Sequence, residues 1–209
     1  MKVLEWFCGT KSFVKVAQER GHETFTIDID GRFRPDMVAD LSKLQVTDLP
    51  KEWRHPDVIW ASPPCQCFSV ASIGTHWTGG KEAYIPKTDS ARFSIGLVGH
   101  VLDLIEEMRP KVAIVENPRG VLRKLGLFQD APRTAWYCQY GDERAKPTDL
   151  WTNLDGWRPK TCHNGCKDHA EARRGAKTGT QGRNGKVERA IVPRLLCEEI
   201  LIECEKVCR

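Results

Sequence analysis

The chain has 209 residues, with 32 lysines and arginines against 28 acids and a formal net charge of +4. This length suits one compact domain with a small appendage, and a hydrophobic content of 40% is enough for a buried core. No apolar stretch approaches the roughly 18 residues of a membrane helix, and we expect neither a cleaved signal nor membrane association. The mild positive charge permits nucleic-acid binding without requiring it.

Nine cysteines in a long, core-rich chain favour free or metal-bound thiols over a disulfide framework, which indicates a cytoplasmic protein. The hydrophobic pattern then predicts alternating strands and helices. Strands are predicted at residues 3–7, 24–29, 37–39, 58–61, 112–115, 136–140 and 150–152, the last two as a hairpin. Helices are predicted at 12–20, 93–108 and 190–207, with a short helix at 121–127. This order favours a mostly parallel sheet with helices on both faces.

Ligands bind beyond the carboxyl ends of the strands in such sheets, and several unusual residues follow the predicted strands. Gly9 allows a ligand close to the first turn, Asp28 could hold a ribose, and Asp40 could accept from an adenine amino group. Phe7, Ile29 and Leu41 could form apolar walls. There is no Gly-x-Gly-x-x-Gly after the first strand, so an adenosine ligand without phosphates fits better than a dinucleotide. Taken singly, each acid could equally be an ordinary loop residue.

Cys65 follows a strand and two prolines, which stiffen its loop and make the thiol a candidate nucleophile. The alternative is a buried, inert cysteine. Glu116 ends the next strand and could donate a proton to a heteroaromatic ring beside the thiol. Its alternative is an ordinary acid before a turn.

Taken in order, these motifs resemble the DNA cytosine-5 methyltransferase family, and most closely its compact bacteriophage-type members. The resemblance covers roughly residues 1–150 and 187–200. The matching motifs are Phe7-Cys8-Gly9, Asp28-Ile29-Asp30, Asp40, Pro64-Cys65-Gln66-Cys67-Phe68-Ser69, Glu116-Asn117 and Arg144-Ala145-Lys146.

The resemblance implies a Rossmann-like class I fold and methyl transfer from S-adenosylmethionine to C5 of cytosine. The acceptor would be double-stranded DNA with the cytosine flipped out of the helix, in a bacterial or phage-infected cell. Residues with implied catalytic roles are Cys65 as nucleophile, Glu116 as ring-activating acid, and Arg144. Residues implied to bind the cofactor are Phe7, Gly9, Asp28, Ile29, Asp40, Leu41 and Pro64. Residues implied to bind the substrate are Gln66, Asn117 and Lys146.

The sequence departs from the family pattern most clearly in size. Residues 1–152 are predicted as the catalytic domain, 153–188 as a short basic insertion in place of a target-recognition domain, and 189–209 as a helix returning to the catalytic domain. Within the insertion, Cys162, Cys166 and His169 have the spacing of zinc ligands, with Cys138 or Cys197 as a fourth. A polar loop with incidental thiols is the alternative. The Gly- and Arg-rich stretch 173–186 suits phosphate contacts, and an accessory specificity protein could supply sequence recognition.

Other departures are local. Pro118 follows Glu-Asn where the family has valine, and residues 189–193 stand where the family has a Gly-Asn-x-Val-Pro segment closing over the cofactor.

Three other functions stay open at this level. Amino-methyltransferases for cytosine N4 or adenine N6 also use a Pro-Pro loop, but an aromatic residue ends that loop, whereas Cys65 does here. The acceptor could instead be RNA or a free pyrimidine nucleotide. A catalytically silent nucleic-acid-binding protein would be indifferent to Cys65.

Overall fold

The computed structural model describes residues 1–80, 83–163, 165–169 and 185–209, and seven of its strands form one sheet in the order β3-β2-β1-β4-β7-β9-β8. The strands are β1 (Lys2–Trp6), β2 (Glu23–Asp28), β3 (Met37–Val38), β4 (Val58–Ala61), β5 (Trp77–Thr78), β6 (Ile85–Pro86), β7 (Val112–Pro118), β8 (Arg133–Trp136) and β9 (Pro147–Thr152). Strands β3, β2, β1, β4 and β7 run parallel, and β9 and β8 close one edge in antiparallel register. Strands β5 and β6 form a separate antiparallel pair. The predicted fold class, including its terminal hairpin, is confirmed.

Five α-helices accompany the sheet: α1 (Ser12–Glu19), α2 (Ile73–His76), α3 (Asp89–Met108), α4 (Lys186–Ala190) and α5 (Arg194–Cys208). Residues alternate across the strands, so that Val3 and Trp60 face α1 and α5 while Leu4 and Ile59 face α3. The parallel strands are therefore apolar on both faces, as a sheet covered by helices on both sides requires. No helix among the described residues is long and apolar enough to cross a bilayer.

Two element predictions were wrong. Residues 136–140 were expected to form a strand, but the strand is β8, and Tyr137–Tyr140 forms a 3₁₀ helix that ends at Gly141. Three of the four residues of this helix are buried, which a tight turn against the core achieves and an alternating edge strand would not. The short helix predicted at 121–127 is a 3₁₀ helix at Val121–Lys124.

Helix α5 returns to the sheet, where its buried face (Leu196, Cys197, Ile200, Leu201 and Cys204) shares a core with α1 and β1. Arg20 and His22 bind Glu205 near the carboxyl end of α5, at 2.7 and 2.9 Å. The predicted domain boundaries at 152 and 188 stay a prediction. Most of the basic stretch, residues 173–184, lies outside the described residues.

Candidate active site

A cavity of about 270 Å³ lies at the carboxyl edge of the sheet, beyond the ends of β1, β4 and β7. Three chain segments meet there because the carboxyl ends of adjacent parallel strands share one edge. The lining residues are Glu5, Phe7, Cys8, Gly9, Thr10, Ser12, Ser62, Pro63, Pro64, Cys65, Gln66, Glu116, Pro118, Lys146, Arg189, Ala190 and Val192. The fold thus brings the predicted nucleophile, the predicted acid and part of the predicted cofactor site together.

The turn from β1 into α1 is unusual, because Phe7, Gly9 and Lys11 all have positive φ angles, of 56°, 43° and 57°. Residues other than glycine seldom adopt this conformation, so surrounding contacts must maintain it. One such contact is the hydrogen bond from the Gly9 amide to Asp28 Oδ2, at 2.9 Å. Asp28 Oδ1 accepts from the Asp30 amide, also at 2.9 Å. Asp28 therefore stabilises the turn between β1 and α1, which forms part of the cavity wall.

The predicted cofactor residues fall into two groups. Phe7, Gly9 and Pro64 line the cavity, whereas the other four lie along the adjoining ends of β2 and β3. Ile29, directly after β2, is 66% exposed, so its apolar side chain is free to pack against a flat ligand. Leu41 is instead buried in the hydrophobic core.

Asp40, which was also predicted to bind the cofactor, is hydrogen-bonded to a neighbouring residue in the chain. Its Oδ1 accepts from the amide and the hydroxyl of Ser42, at 3.0 and 2.7 Å. These hydrogen bonds hold the pKa of the Asp40 carboxyl below its usual value. Asp40 follows β3, and Asp28 ends β2, the strand that pairs with β3. A charged hydrogen-bond acceptor at Asp40 is compatible with an adenosine group bound at this edge.

The Cys65 loop is held by backbone and side-chain hydrogen bonds. The Cys65 carbonyl accepts from the amides of Phe68 and Ser69, both at 3.0 Å. Asn117, predicted to bind substrate, is fully buried and donates from Nδ2 to the Pro63 carbonyl at 2.9 Å. Asn117 thus joins the end of β7 to the nucleophile loop, while Gln66 beside Cys65 lines the cavity.

Glu116 is only 6% exposed and shares the cavity with Cys65. Tyr137 Oη donates to Glu116 Oε1 at 3.3 Å, and the Ser62 hydroxyl also bonds this carboxyl group. Burial raises the pKa of Glu116, so that its proton is retained to higher pH than in an exposed glutamate. Burial, and then the negative charge of Glu116, also raise the pKa of the Cys65 thiol. Deprotonation of Cys65 therefore becomes easier when Glu116 is neutral.

Lys146 is a cation that lines the same cavity as Cys65 and Glu116. Its Nζ donates to the Arg189 carbonyl at 2.8 Å and lies 4.5 Å from the centroid of the Tyr137 ring. Burial lowers the pKa of Lys146, while the charge of Glu116 opposes that shift. The ammonium in turn lowers the pKa values of both Cys65 and Glu116. Lys146 can therefore stabilise negative charge in the cavity.

Arg144 is placed differently from the catalytic position predicted for it. Only 2% exposed, it lies outside the set of described residues that line the cavity, and its guanidinium forms an ion pair with Asp142. Its Nη atoms also donate to the carbonyls of Glu188, Arg189 and Ile191, at 3.4 to 3.5 Å. Arg144 thus holds the segment that supplies one wall of the cavity.

Two residues at or next to the cavity were not predicted from the sequence. Glu5, in the middle of β1, lines the cavity and accepts from the Val14 amide at 2.9 Å. An acid inside an otherwise apolar strand was the available signal. Tyr137 was missed because residues 136–140 were wrongly predicted to form a strand, which would not direct its hydroxyl group to Glu116.

Glu5 should make folding stability depend on pH. Burial raises its pKa from 4.5 to about 7, so the unfolded chain releases a proton that the folded chain retains. Each pH unit in that window lowers the free energy of unfolding by about 1.4 kcal/mol, or roughly 3 kcal/mol in all. We expect Glu5→Gln to remove this contribution, measured by urea unfolding at pH 5 and pH 8. Glu23→Gln, an exposed site on β2, is the control; equal pH dependence in the wild type and Glu5→Gln would contradict the assignment.

A second cluster lies away from the cavity. The ligand atoms of Cys138, Cys162, Cys166 and His169 all lie within 4.8 Å of one another. Three thiols and one imidazole match the donor set of tetrahedral structural zinc sites, with Zn–S bonds of about 2.3 Å. Of the two candidates for a fourth ligand, Cys138 belongs to this cluster, whereas Cys197 is buried in the core on α5.

A mostly parallel sheet with the turn at residues 7–11, Asp28 and Cys65 at its carboxyl edge fits a Rossmann-like, S-adenosylmethionine-dependent methyltransferase. Residues 28–127 match the family model described as C-5 cytosine-specific DNA methylase. The "Probable DNA (cytosine-5)-methyltransferase" of Frog virus 3 (isolate Goorha) is 35% identical over 167 residues, covering 78% of this chain and 75% of that protein. The chain therefore belongs to the C-5 cytosine-specific DNA methylase family, whose members methylate cytosine in DNA.

Other relatives are more distant. The type II methyltransferase M.AgeI of Thalassovita gelatinovora is 25% identical over 142 residues, covering 60% of this chain and 30% of that protein. Among solved structures, a DNA modification methyltransferase candidate encoded within an E. coli prophage superposes with a TM-score of 0.54 at 18% identity. That match covers 77% of this chain and 51% of the other, and it supports the fold alone.

Proposed function

We propose that this chain methylates C5 of cytosine in double-stranded DNA through a covalent adduct with Cys65. The observation that carries this proposal is the convergence of Cys65, Glu116 and Lys146 on one cavity at the ends of β4 and β7. C5 of cytosine is too weakly nucleophilic to take a methyl group unaided. A thiolate adding to C6 makes C5 electron-rich, and an acid at N3 neutralises the charge that develops on the ring.

In this proposal the Cys65 thiolate forms a bond to C6 while Glu116 gives its proton to N3. S-adenosylmethionine supplies the methyl group as an electrophile. C5 would then form its new carbon–carbon bond as the methyl–sulfur bond of the sulfonium donor breaks and leaves a neutral thioether. Loss of the C5 proton to a base would then break the C6–S bond and release Cys65 as a thiolate. N3 returns its proton to Glu116, so the chain ends in its starting state. Lys146 stabilises the negative charge that moves between the thiol, the ring and the carboxylate.

The cofactor would occupy the part of the cavity next to β1. Phe7, Gly9 and Pro64 would contact it, and Asp28 with the exposed Ile29 would hold the adenosine end. The open turn at Gly9 and the apolar wall at Ile29 are the features that fit such a ligand. Gln66 and Lys146 would contact the flipped base. We propose that Arg144 contributes indirectly, by holding the wall formed by residues 188–191.

Trapping the covalent adduct tests this function directly. Wild-type protein is incubated with S-adenosylmethionine and duplex DNA of mixed sequence that contains 5-fluorocytosine, in which fluorine blocks loss of the C5 substituent. We expect a protein–DNA adduct stable to denaturation, and peptide mapping that places the bond on Cys65. If no adduct forms on DNA but one forms on RNA that contains 5-fluorocytosine, the acceptor is RNA and the proposed DNA substrate is wrong. The accessory specificity protein stays a prediction.

We also propose that Cys138, Cys162, Cys166 and His169 bind a structural zinc ion. The metal would tie Cys162, Cys166 and His169 to Cys138 in the 3₁₀ helix at Tyr137–Tyr140. Gln139 Nε2 donates to Cys166 Sγ at 3.3 Å, the kind of contact that orients a metal-bound thiolate.

Metal analysis should find about one zinc ion per chain, since four ligands define one closed site. Cys162→Ser should lower the bound zinc to near background and lower the melting temperature. Cys208→Ser, at the carboxyl end of α5 and outside the cluster, should retain the metal. Stoichiometric zinc in Cys162→Ser, or folded wild-type protein without metal after purification in zinc-containing medium, would contradict the site.

A further inference from the structure

Gly120 touches the loop that carries Cys65. An ideal Cβ at position 120 would lie 2.1 Å from the Phe68 carbonyl oxygen and 3.1 Å from its carbon. Such contacts are far inside van der Waals distance, and the obstacle is backbone rather than a movable side chain. No larger residue therefore fits at position 120 without moving residues 68 and 69.

Conformational freedom is not the reason for a glycine here. Gly120 has φ of −170°, an extended conformation that every residue can adopt. The requirement is one of space alone, created by close pairing of two segments. Gly120 forms an isolated antiparallel bridge with Ser69, and the Val121 amide donates to the Phe68 carbonyl at 2.8 Å.

The paired residues Phe68 and Ser69 are hydrogen-bonded to Cys65, the proposed nucleophile. The amides of Phe68 and Ser69 both donate to the Cys65 carbonyl, so the turn at 65–69 is one hydrogen-bonded unit. Phe68 is fully buried and stacks on Trp77 with ring centroids 6.2 Å apart, so the carbonyl cannot retreat easily into the core. A displacement at Phe68 would therefore move Cys65.

We propose that Gly120 is a positioning residue, which lets the chain after Glu116 approach the Cys65 loop closely enough to set the distance between thiol and carboxyl group. Together with the Asn117–Pro63 hydrogen bond, this contact joins the segments that follow β7 and β4 at two points. The inference rests on the proposed covalent function. A methyl-transfer site tolerates little misplacement, because rate depends steeply on the alignment of the reacting atoms.

Gly120→Ala tests the proposal by single-turnover kinetics of adduct formation on 5-fluorocytosine DNA. We expect the rate of adduct formation to fall by at least about 10-fold, up to the roughly 100-fold cost of a misplacement of 1 Å. Affinity for S-adenosylmethionine should change little, because most of the proposed cofactor contacts lie at the ends of β1 and β2 and only Pro64 belongs to the Cys65 loop. A general loss of folding would lower both. Gly96→Ala, on the exposed face of α3 with open space around its Cα, is the matched control and should react at the wild-type rate.

A folded Gly120→Ala protein that forms the adduct at the wild-type rate would overturn the positioning role while leaving the proposed function intact. Failure of the wild type itself to form an adduct would instead refute the proposed function. If Gly120→Ala does not fold, amide hydrogen exchange of the wild type decides: the Val121 amide should exchange as slowly as those of β7. Exchange at the rate of an exposed loop would show that the pairing is not maintained, and would overturn the proposal.

Discussion

Cys65→Ser should abolish methyl transfer, lowering turnover by about three to six orders of magnitude, as loss of a nucleophile does in other covalent enzymes. A serine hydroxyl is too weakly acidic to add to C6 as an alkoxide at neutral pH, and it nearly preserves the shape of the thiol. Affinity for S-adenosylmethionine should therefore be retained, because the proposed cofactor contacts do not involve the Cys65 sulfur. Transfer of radiolabelled methyl groups to DNA and calorimetric titration of the cofactor measure the two quantities.

Cys67→Ser is the matched control for this change. Cys67 lies two residues further along the same loop but is buried, and only its carbonyl has a defined role, accepting from Trp77 Nε1 at 2.6 Å. Most activity should survive that substitution. Methyl transfer at an undiminished rate by Cys65→Ser would eliminate the covalent mechanism, whatever the result for Cys67.

Glu116→Gln should lower turnover by about 10²- to 10⁴-fold, the usual contribution of a positioned acid. Glutamine can keep the hydrogen bonds with Tyr137 and Ser62 but cannot give a proton to N3. The pH dependence should change as well. Because burial raises the pKa of Glu116, the wild-type rate should fall as pH rises through that pKa and the proton is lost. The glutamine variant should lack this fall.

Rates of methyl transfer measured across acidic, neutral and alkaline pH would test this assignment, with Glu107→Gln on the exposed face of α3 as the control. The decisive comparison is the shape of the profile, because a merely destabilised protein would lose activity without losing the fall in rate with rising pH. A variant with wild-type turnover and an unchanged profile would show that Glu116 does not deliver the proton.

Several features of the site were predictable because they are local. A proline pair before Cys65, an acid at the end of a strand, and the order of these motifs all lie within short stretches of sequence. Cys162, Cys166 and His169 fall within eight residues, so their clustering follows from spacing. The parallel strands β1, β2, β3, β4 and β7 were also predictable, since a buried parallel strand is a continuous apolar run, whereas the short antiparallel pair of β5 and β6 was not predicted.

Other features depend on residues distant in the chain. Lys146 and Arg144 are alike in sequence terms, yet Lys146 faces the cavity while Arg144 is turned toward Asp142 and the backbone at 188–191. Tyr137 reaches Glu116 only because 137–140 coils into a 3₁₀ helix, against the strand that its aromatic residues suggested. The choice of Cys138 over Cys197 for the metal cluster likewise required knowing which thiol the core covers.

The sequence alone was thus enough to predict the type of sheet, the family and the proposed reacting groups, because periodicity and short motifs encode them within one element at a time. Which charges face the cavity, where Glu5 and Tyr137 lie relative to it, and why glycine stands at position 120 depend on the folded structure. Those properties arise from burial and from contacts between segments distant in the chain, such as Gly120 and Phe68. Desolvation and close packing exist only once the chain has folded, so no local pattern could have revealed them.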